Sequence, residues 1–286
     1  MIWGYHPAYV DGVELSLPLP TLGNDENGEF WFEAVDWVLA VREARDKFVM
    51  ATLGALYGYQ VVGGYRALQA LNPMPYKLVA VEPIPENVAW VKRHMRDNGI
   101  DPDEQWIIQA VLSDKGDPVF FPVGAPGLGA QNCISTNEAI ARQQYFESIV
   151  AAGKATEALE SILRTNSTGL QKDIIEGQGL FGEITLVSAI TLHNLLAPLD
   201  RVDLLEADIQ ESEKVVFPPA REILKKKVRR IHLGTHGLPV HQMLHQMFVD
   251  DGWEIVFSFE PEQVHQTALG SFATNDGILS VVNPNL

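Results

Sequence analysis

This sequence predicts an α/β fold in which helices cover both faces of a mostly parallel sheet. Three observations carry that reading. Short, continuously apolar runs recur from Lys47 onward: Phe48-Val49-Met50-Ala51, Leu78-Val79-Ala80-Val81, Trp106 to Leu112, Val202-Asp203-Leu204-Leu205 and Val228 to Gly234. Helically patterned stretches lie among them, and strands buried on both faces read as unbroken apolar runs. Finally, Trp253 to Phe259 and Ile278 to Val282 have no helical stretch between them, so they should pair antiparallel and close the sheet edge.

In chain order, residues 1–46 form an N-terminal arm and helix. The arm holds Trp3, Tyr5 and Tyr9 and the turn-rich Leu17-Pro18-Leu19-Pro20. The helix, near 29–46, should bury Phe30, Ala34, Trp37, Val41 and Ala44. Residues 47–286 are the core of the same single domain, 1–286. Between the second and third strands, Pro85 opens a helix, Val88, Val91 and Met95 form its apolar stripe, and Asn98-Gly99 ends it. Residues 124–196 are an insertion between strands three and four. Ser135-x-x-Glu138 has the capping-box pattern, and helical sequence follows to about Leu163 with a break at Gly153. Leaving strand three at its carboxyl end, this segment is expected to act as a lid over an acceptor site.

Charge narrows the partners. The net charge of −16 disfavours nucleic acid, which is held by clustered cations. The basic run Lys225, Lys226, Lys227, Arg229 and Arg230 falls where a helix should end, so it complements the carbonyl end of that helix. No run of eighteen uncharged apolar residues crosses a membrane, and the N-terminus lacks a signal-peptide pattern. With Cys133 the only cysteine, a reducing cytoplasm is expected. The oligomeric state stays open, with a homodimer among the options. His241-Gln242-Met243-Leu244-His245 resembles a zinc-protease helix, but Gln242 replaces the required general base, so the histidines read as surface residues.

The first strand runs into Thr52-Leu53-Gly54-Ala55-Leu56-Tyr57-Gly58, a G-x-x-x-G turn of the kind that lets backbone approach a ligand. The second ends in Glu82-Pro83, where an acid can accept from ribose hydroxyls. Ser113 and Asp114 could accept an adenine amino group or simply form a turn. The dinucleotide fingerprint G-x-G-x-x-G is missing, Leu56 standing in that region, which disfavours a nicotinamide-dependent oxidoreductase.

Gly54-Ala55-x-x-Gly58, Glu82-Pro83-x-Pro85-x-Asn87, Asn98-Gly99 and Ala110-x-x-Ser113-Asp114 together resemble the FkbM-type methyltransferases. The likeness continues through Thr191-Leu192-x-x-Leu195-Leu196 and Val202-Asp203-Leu204-Leu205-x-x-Asp208-Ile209-Gln210-x-Ser212-Glu213. It implies a Rossmann-like class I methyltransferase fold with seven strands, the last antiparallel. It also implies S-adenosylmethionine as cofactor and a hydroxyl acceptor on a sugar or natural product. Thr52, Gly54, Ala55, Gly58, Glu82, Pro83, Ser113 and Asp114 are then the cofactor residues. The chain departs from the family, which usually has an acid at Thr52, asparagine at Leu56, lysine at Glu206 and glycine at Glu211. A binding protein with weakened turnover is therefore the alternative.

Methyl transfer from a sulfonium to a hydroxyl needs in-line orientation and a base. His236, beyond strand five, is the expected base, and Asp208, beyond strand four, positions it or the substrate hydroxyl. Glu206 and His232 are the substrate-side candidates, although a mid-strand histidine also reads as a packed core residue. Asp208 with Glu206 and His236 could hold a divalent ion, but the spacing does not compel one and no metal is assigned.

Overall fold

The computed structural model describes residues 28–123, 135–151, 183–267 and 270–286. The aromatic N-terminal arm, Cys133, Gly153 and the expected helix beyond Ala151 lie outside those residues. The central sheet contains β1 (Phe48–Leu53), β2 (Tyr76–Val81), β3 (Trp106–Ile108), β4 (Val202–Ala207), β5 (Val228–Thr235), β6 (Glu254–Phe259) and β7 (Gly277–Val282). Their order is β3-β2-β1-β4-β5-β7-β6. Neighbours from β3 through β5 pair parallel, and β7 runs antiparallel to both β5 and β6. This is the Rossmann-like class I methyltransferase fold expected from the sequence.

Two details differ from expectation. The closing pair is antiparallel, but β7 lies inside the sheet and β6 forms the edge. Burial explains the order: all six residues of β7 are buried, whereas β6 begins with exposed Glu254 and is never fully covered. The run from Trp106 to Leu112 also divides. The N–H groups of both Glu82 and Ala110 bond to the Ile108 carbonyl, which ends β3. Val111–Leu112 then pairs with Ala189–Ile190 in a separate ribbon.

Eight helices occur among the described residues: α1 (Gly28–Glu43), α2 (Tyr59–Leu71), α3 (Pro85–Asp97), α4 (Glu138–Ala151), α5 (Leu192–Leu196), α6 (Glu213–Val216), α7 (Arg221–Lys227) and α8 (Leu238–Asp250). Strand alternation divides the core. Phe48 and Met50 pack with Trp37, Val41, Val61 and Val91 on the α1–α3 side. Val49, Ala51 and Leu53 pack with Leu224, Leu244 and Phe248 on the α7–α8 side. The helix α1 approaches α2 so closely that a Cβ on Gly63 would lie 2.3 Å from the Trp37 ring. Ala34, Trp37, Val41 and Ala44 are buried as expected, while Phe30 is only half-covered.

A buried ionic network fixes α1 to the sheet. Asp36, fully buried, accepts from Arg230 (3.1 Å), His232 Nδ1 (2.8 Å) and Ser280 (2.9 Å). Arg230 also reaches Glu43, and Arg229 pairs with the same carboxylate. Lys227 donates to the carbonyls of Leu196, Ala197 and Leu199 at the end of α5. Of the basic run, Lys227 thus acts at a carbonyl end, that of the neighbouring α5, whereas Lys225 pairs with Glu222 and Asp251, and Arg229 and Arg230 pair with Glu43 and Asp36.

The insertion is rooted by antiparallel strands Val119–Val123 and Glu183–Val187. Its helix α4 starts later than the capping-box reading placed it. Asn137 Oδ1 accepts from the N–H groups of Ala139 and Ile140, so Asn137 is the cap. Ser135 instead accepts from Asn137, and Glu138 pairs with Arg142 one turn on. No helix among the described residues is long and apolar enough to cross a membrane.

Candidate active site

The carboxyl ends of β1, β2 and β4 converge on a cleft of about 230 Å³. Gly54 lets them converge. Its φ of +77° is left-handed, and a Cβ there would lie 2.1 Å from the Asp208 carbonyl oxygen. The N–H groups of Gly54 and Ala55 both bond to the Val81 carbonyl, and the Asp208 N–H bonds to the Leu53 carbonyl. The glycine therefore serves a junction of three chain segments, beyond any approach to a ligand. Gly54→Ala should cost about 1–3 kcal/mol from backbone strain and overpacking. A denaturant titration showing less than about 0.5 kcal/mol would mean that the junction relaxes freely.

Glu82 lies on the cleft wall, only 4% exposed. It accepts from the N–H groups of Leu56 (2.9 Å) and Ile84 (3.0 Å) and from Asn87 Nδ2 (3.1 Å). A carboxylate offers about four acceptor directions, so roughly one remains for a hydroxyl. Burial pushes its pKa up to about 7, against these three donors, which pull it down. Around it the walls are apolar: Ile84, Ala110, Val111 and Leu112, with Phe121 from the root of the insertion.

The other expected cofactor residues divide. Pro83 lines the cleft. Ala55 is wholly buried in the core, and Gly58, at φ +76°, starts α2. Thr52 is 1% exposed, does not line the cleft, and its hydroxyl has no hydrogen-bond partner among the described residues. Ser113 Oγ accepts from the Gly116 N–H at 2.8 Å, and Asp114 is exposed. These two form a turn outside the cleft.

Two departures from the family pattern fall on strained backbone. Leu56 has φ +46° and Glu211 φ +68°, with Gln210 beside it at +53°. Asparagine and glycine enter that region at low cost; leucine and glutamate do so at about 1 kcal/mol or more. Both turns bordering the cleft therefore keep a geometry that these side chains do not favour.

His236 follows β5 and meets Asp208 as anticipated, Nε2 to Oδ1 at 3.3 Å. Glu213 Oε1 lies 3.4 Å from Nδ1, and Asp276 Oδ2 lies 3.8 Å from Nε2. Burial alone would lower the histidine pKa, but bonding and charge from Asp208 and Glu213 carry it up to about 11. Asp208 moves down: burial opposes this, and His236 and Gln210 outweigh it. An imidazolium has no lone pair with which to take a proton, so the ring is poorly suited to act as the base.

Glu206 and His232 are placed away from the cleft. Both are 2% exposed on the α1 side of the sheet. Glu206 accepts from Trp37 Nε1 at 2.7 Å, and His232 pairs with Asp36. Strand β4 extends through Ala207, so Glu206 is an internal strand residue. A substrate role does not fit that burial. His241 is also no surface residue: it is 2% exposed, with Thr235 and Ser258 each 2.8 Å from its two nitrogens.

No family model matches the chain. A protein of Jannaschia sp. (strain CCS1), named provisionally as a methyltransferase, is 23% identical over 253 residues, which cover 86% of this chain and 75% of that one. In fold the chain is similar to the methyltransferase FkbM of Methylobacillus flagellatus KT, with a TM-score of 0.46 and 11% identity. That match covers 84% of this chain and 45% of the other, so the chain spans less than half of that structure. Precorrin-6y C5,15-methyltransferase of Geobacter metallireducens GS-15 matches at a TM-score of 0.43 and 8% identity over 91% of each chain. The chain is similar to methyltransferases. In an open, mostly parallel sheet such as this one, ligands lie beyond the carboxyl ends of the strands, the edge on which Glu82, Asp208 and His236 sit. Sequence reasoning missed Glu213 and Asp276 as neighbours of His236. Glu213 was visible only as the last residue of a matched motif, and Asp276 carried no signal.

Proposed function

We propose that this protein is an S-adenosylmethionine-dependent methyltransferase acting on a hydroxyl of a small molecule. The observation that carries the reading is the buried Glu82 carboxylate on an apolar cleft at the sheet's carboxyl edge. Bound there, the cofactor would supply an electrophilic methyl group. Glu82 would hold a ribose hydroxyl, and Ile84, Val111, Leu112 and Phe121 would enclose the adenine. Gly54 and Leu56 would border the methionine end.

Asp208 and His236 stand where the acceptor would meet the methyl group. Asp208 lines the cleft with a side chain 37% exposed, so it can accept a hydrogen bond from a substrate hydroxyl and orient it toward the methyl group. His236, as imidazolium, would hold that carboxylate in place. The small apolar cleft and the net charge of −16 favour a small acceptor over nucleic acid.

His236→Ala should lower single-turnover methyl transfer by about 10²-fold, as misplacing a reacting group does, with S-adenosylhomocysteine affinity nearly unchanged. His232→Ala should act through stability instead. Wild-type turnover in His236→Ala would remove the histidine from the reaction. Equal losses of turnover and cofactor affinity in both variants would mean that neither role is distinct. The binding-protein alternative predicts cofactor retention with no transfer to any hydroxyl acceptor.

A further inference from the structure

The two oxygens of Glu82 are held unequally. Oε1 accepts from the Ile84 N–H at 3.0 Å and from Asn87 Nδ2 at 3.1 Å, while Oε2 accepts from the Leu56 N–H at 2.9 Å. Two donors fill the two lone-pair directions of Oε1, so the direction left for a ligand belongs to Oε2. Two of the three donors are backbone groups. Asn87 is the side-chain donor, carried on the first turn of α3. It is fully buried, and its Oδ1 has no hydrogen-bond partner among the described residues. A buried amide left half-satisfied is costly. The hydrogen bond that this side chain does make goes to Glu82.

We propose that Asn87 is a positioning residue of the cofactor site: its amide pins Oε1 of Glu82 and so presents Oε2 to a ribose hydroxyl. The surroundings show why such a residue is needed. The walls beside Glu82 include Ile84, Val111 and Leu112, which solvate no charge. Burial pushes the carboxyl up to about 7, and the Ile84, Asn87 and Leu56 donors keep it from going further. Among the described residues no cation shares that task. The titratable groups nearby are Asp208, on the same cleft, and Tyr57, whose phenol is pushed up by burial and by the Glu82 charge. Neither donates to Glu82 among the described residues, so neither stands in for Asn87.

The ribose hydroxyl rests on the proposed function; the pairing of Asn87 with Glu82 does not. Because Oδ1 has no partner, replacing Asn87 by an apolar residue removes this one side-chain hydrogen bond and strands no other group. Asn87→Ala and Asn87→Leu, one smaller and one of similar branching, therefore both probe it.

The test follows the glutamate carboxyl and asparagine side-chain amide signals by nuclear magnetic resonance against pH, in full-length protein without cofactor. In the wild type the Asn87 amide should shift with the same midpoint as the Glu82 carboxyl, about pH 7. In both variants Glu82 should hold its proton about 10–150-fold more tightly, the effect of losing one hydrogen bond to a charged group. S-adenosylhomocysteine affinity at pH 7 should then fall about 5–75-fold and return to within about twofold of wild type at pH 9.5. An Asn87 amide signal that stays constant through the Glu82 titration would overturn the proposal, and that result needs no variant to fold. Variants whose Glu82 titrates as in the wild type, or whose affinity loss is equal at both pH values, would reduce Asn87 to a packing residue. A wild type that binds S-adenosylhomocysteine without coupled titration contradicts this inference alone. Coupled titration with no S-adenosylhomocysteine binding supports the pairing and contradicts the proposed function.

Discussion

Asp36→Ala should lower the stability of the fold by about 3–5 kcal/mol, the usual cost of breaking a buried ion pair from one side. Asp36 is fully buried and joins α1 to β5 and β7 through Arg230, His232 and Ser280. Its loss would leave the 3%-exposed Arg230 with only the rim carboxylate of Glu43. His232 and Ser280 would lose a partner in the same layer. The α1–α2 contact at Trp37 and Gly63 should loosen with it, exposing the layer behind β1 and β4. Urea titration of both proteins checks the size of the effect, and hydrogen exchange in α1 checks its location. A loss below about 1 kcal/mol would mean that α1 is held by apolar packing alone.

The sheet was legible because its burial is two-sided. Phe48 to Ala51 and Leu78 to Val81 are apolar regardless of face, Val202 to Leu205 is so except for Asp203, and each became a strand inside the sheet. The position of β7 was harder to read, because strand order depends on which run is buried on both faces and its sequence neighbours do not reveal that. Glu82 and Gly54 were legible because a strand-end acid and a glycine turn are local patterns. Glu206 and His232 misled, since a polar strand residue looks the same in sequence whether it faces a cleft or a helix. Only the packing of α1, through Asp36 and Trp37, decides between them. The acids around His236 come from two distant segments, 208–213 and the turn at Asp276, and that turn has no motif.

The second large effect concerns Glu82. Its carboxyl pKa is raised by burial from an ordinary 4.5 to about 7 in the folded protein. The folded state therefore binds this proton more tightly than the unfolded chain does. Its contribution to stability falls as pH rises from about 4.5 to 7 and is fully lost above that range. Cofactor binding has the opposite dependence: a ribose hydroxyl donates to the ionised carboxylate, so affinity falls as pH drops below about 7. Glu82→Ala removes one charge-assisted hydrogen bond, worth about 1.5–3 kcal/mol, or roughly 10–150-fold in affinity. Glu82→Gln should lose the pH dependence, while its amide nitrogen faces a donor that now bonds to a carboxylate oxygen.

Calorimetric titration of S-adenosylhomocysteine into wild type and Glu82→Ala at pH 6 and pH 8 tests the central claim most directly. The wild type should bind at both, about tenfold more weakly at pH 6 because only about a tenth of Glu82 is then ionised. Glu82→Ala should bind more weakly at pH 8 and show little further change at pH 6. Equal binding by the two proteins, or no binding by the wild type at either pH, would contradict the assignment of this cleft to the cofactor.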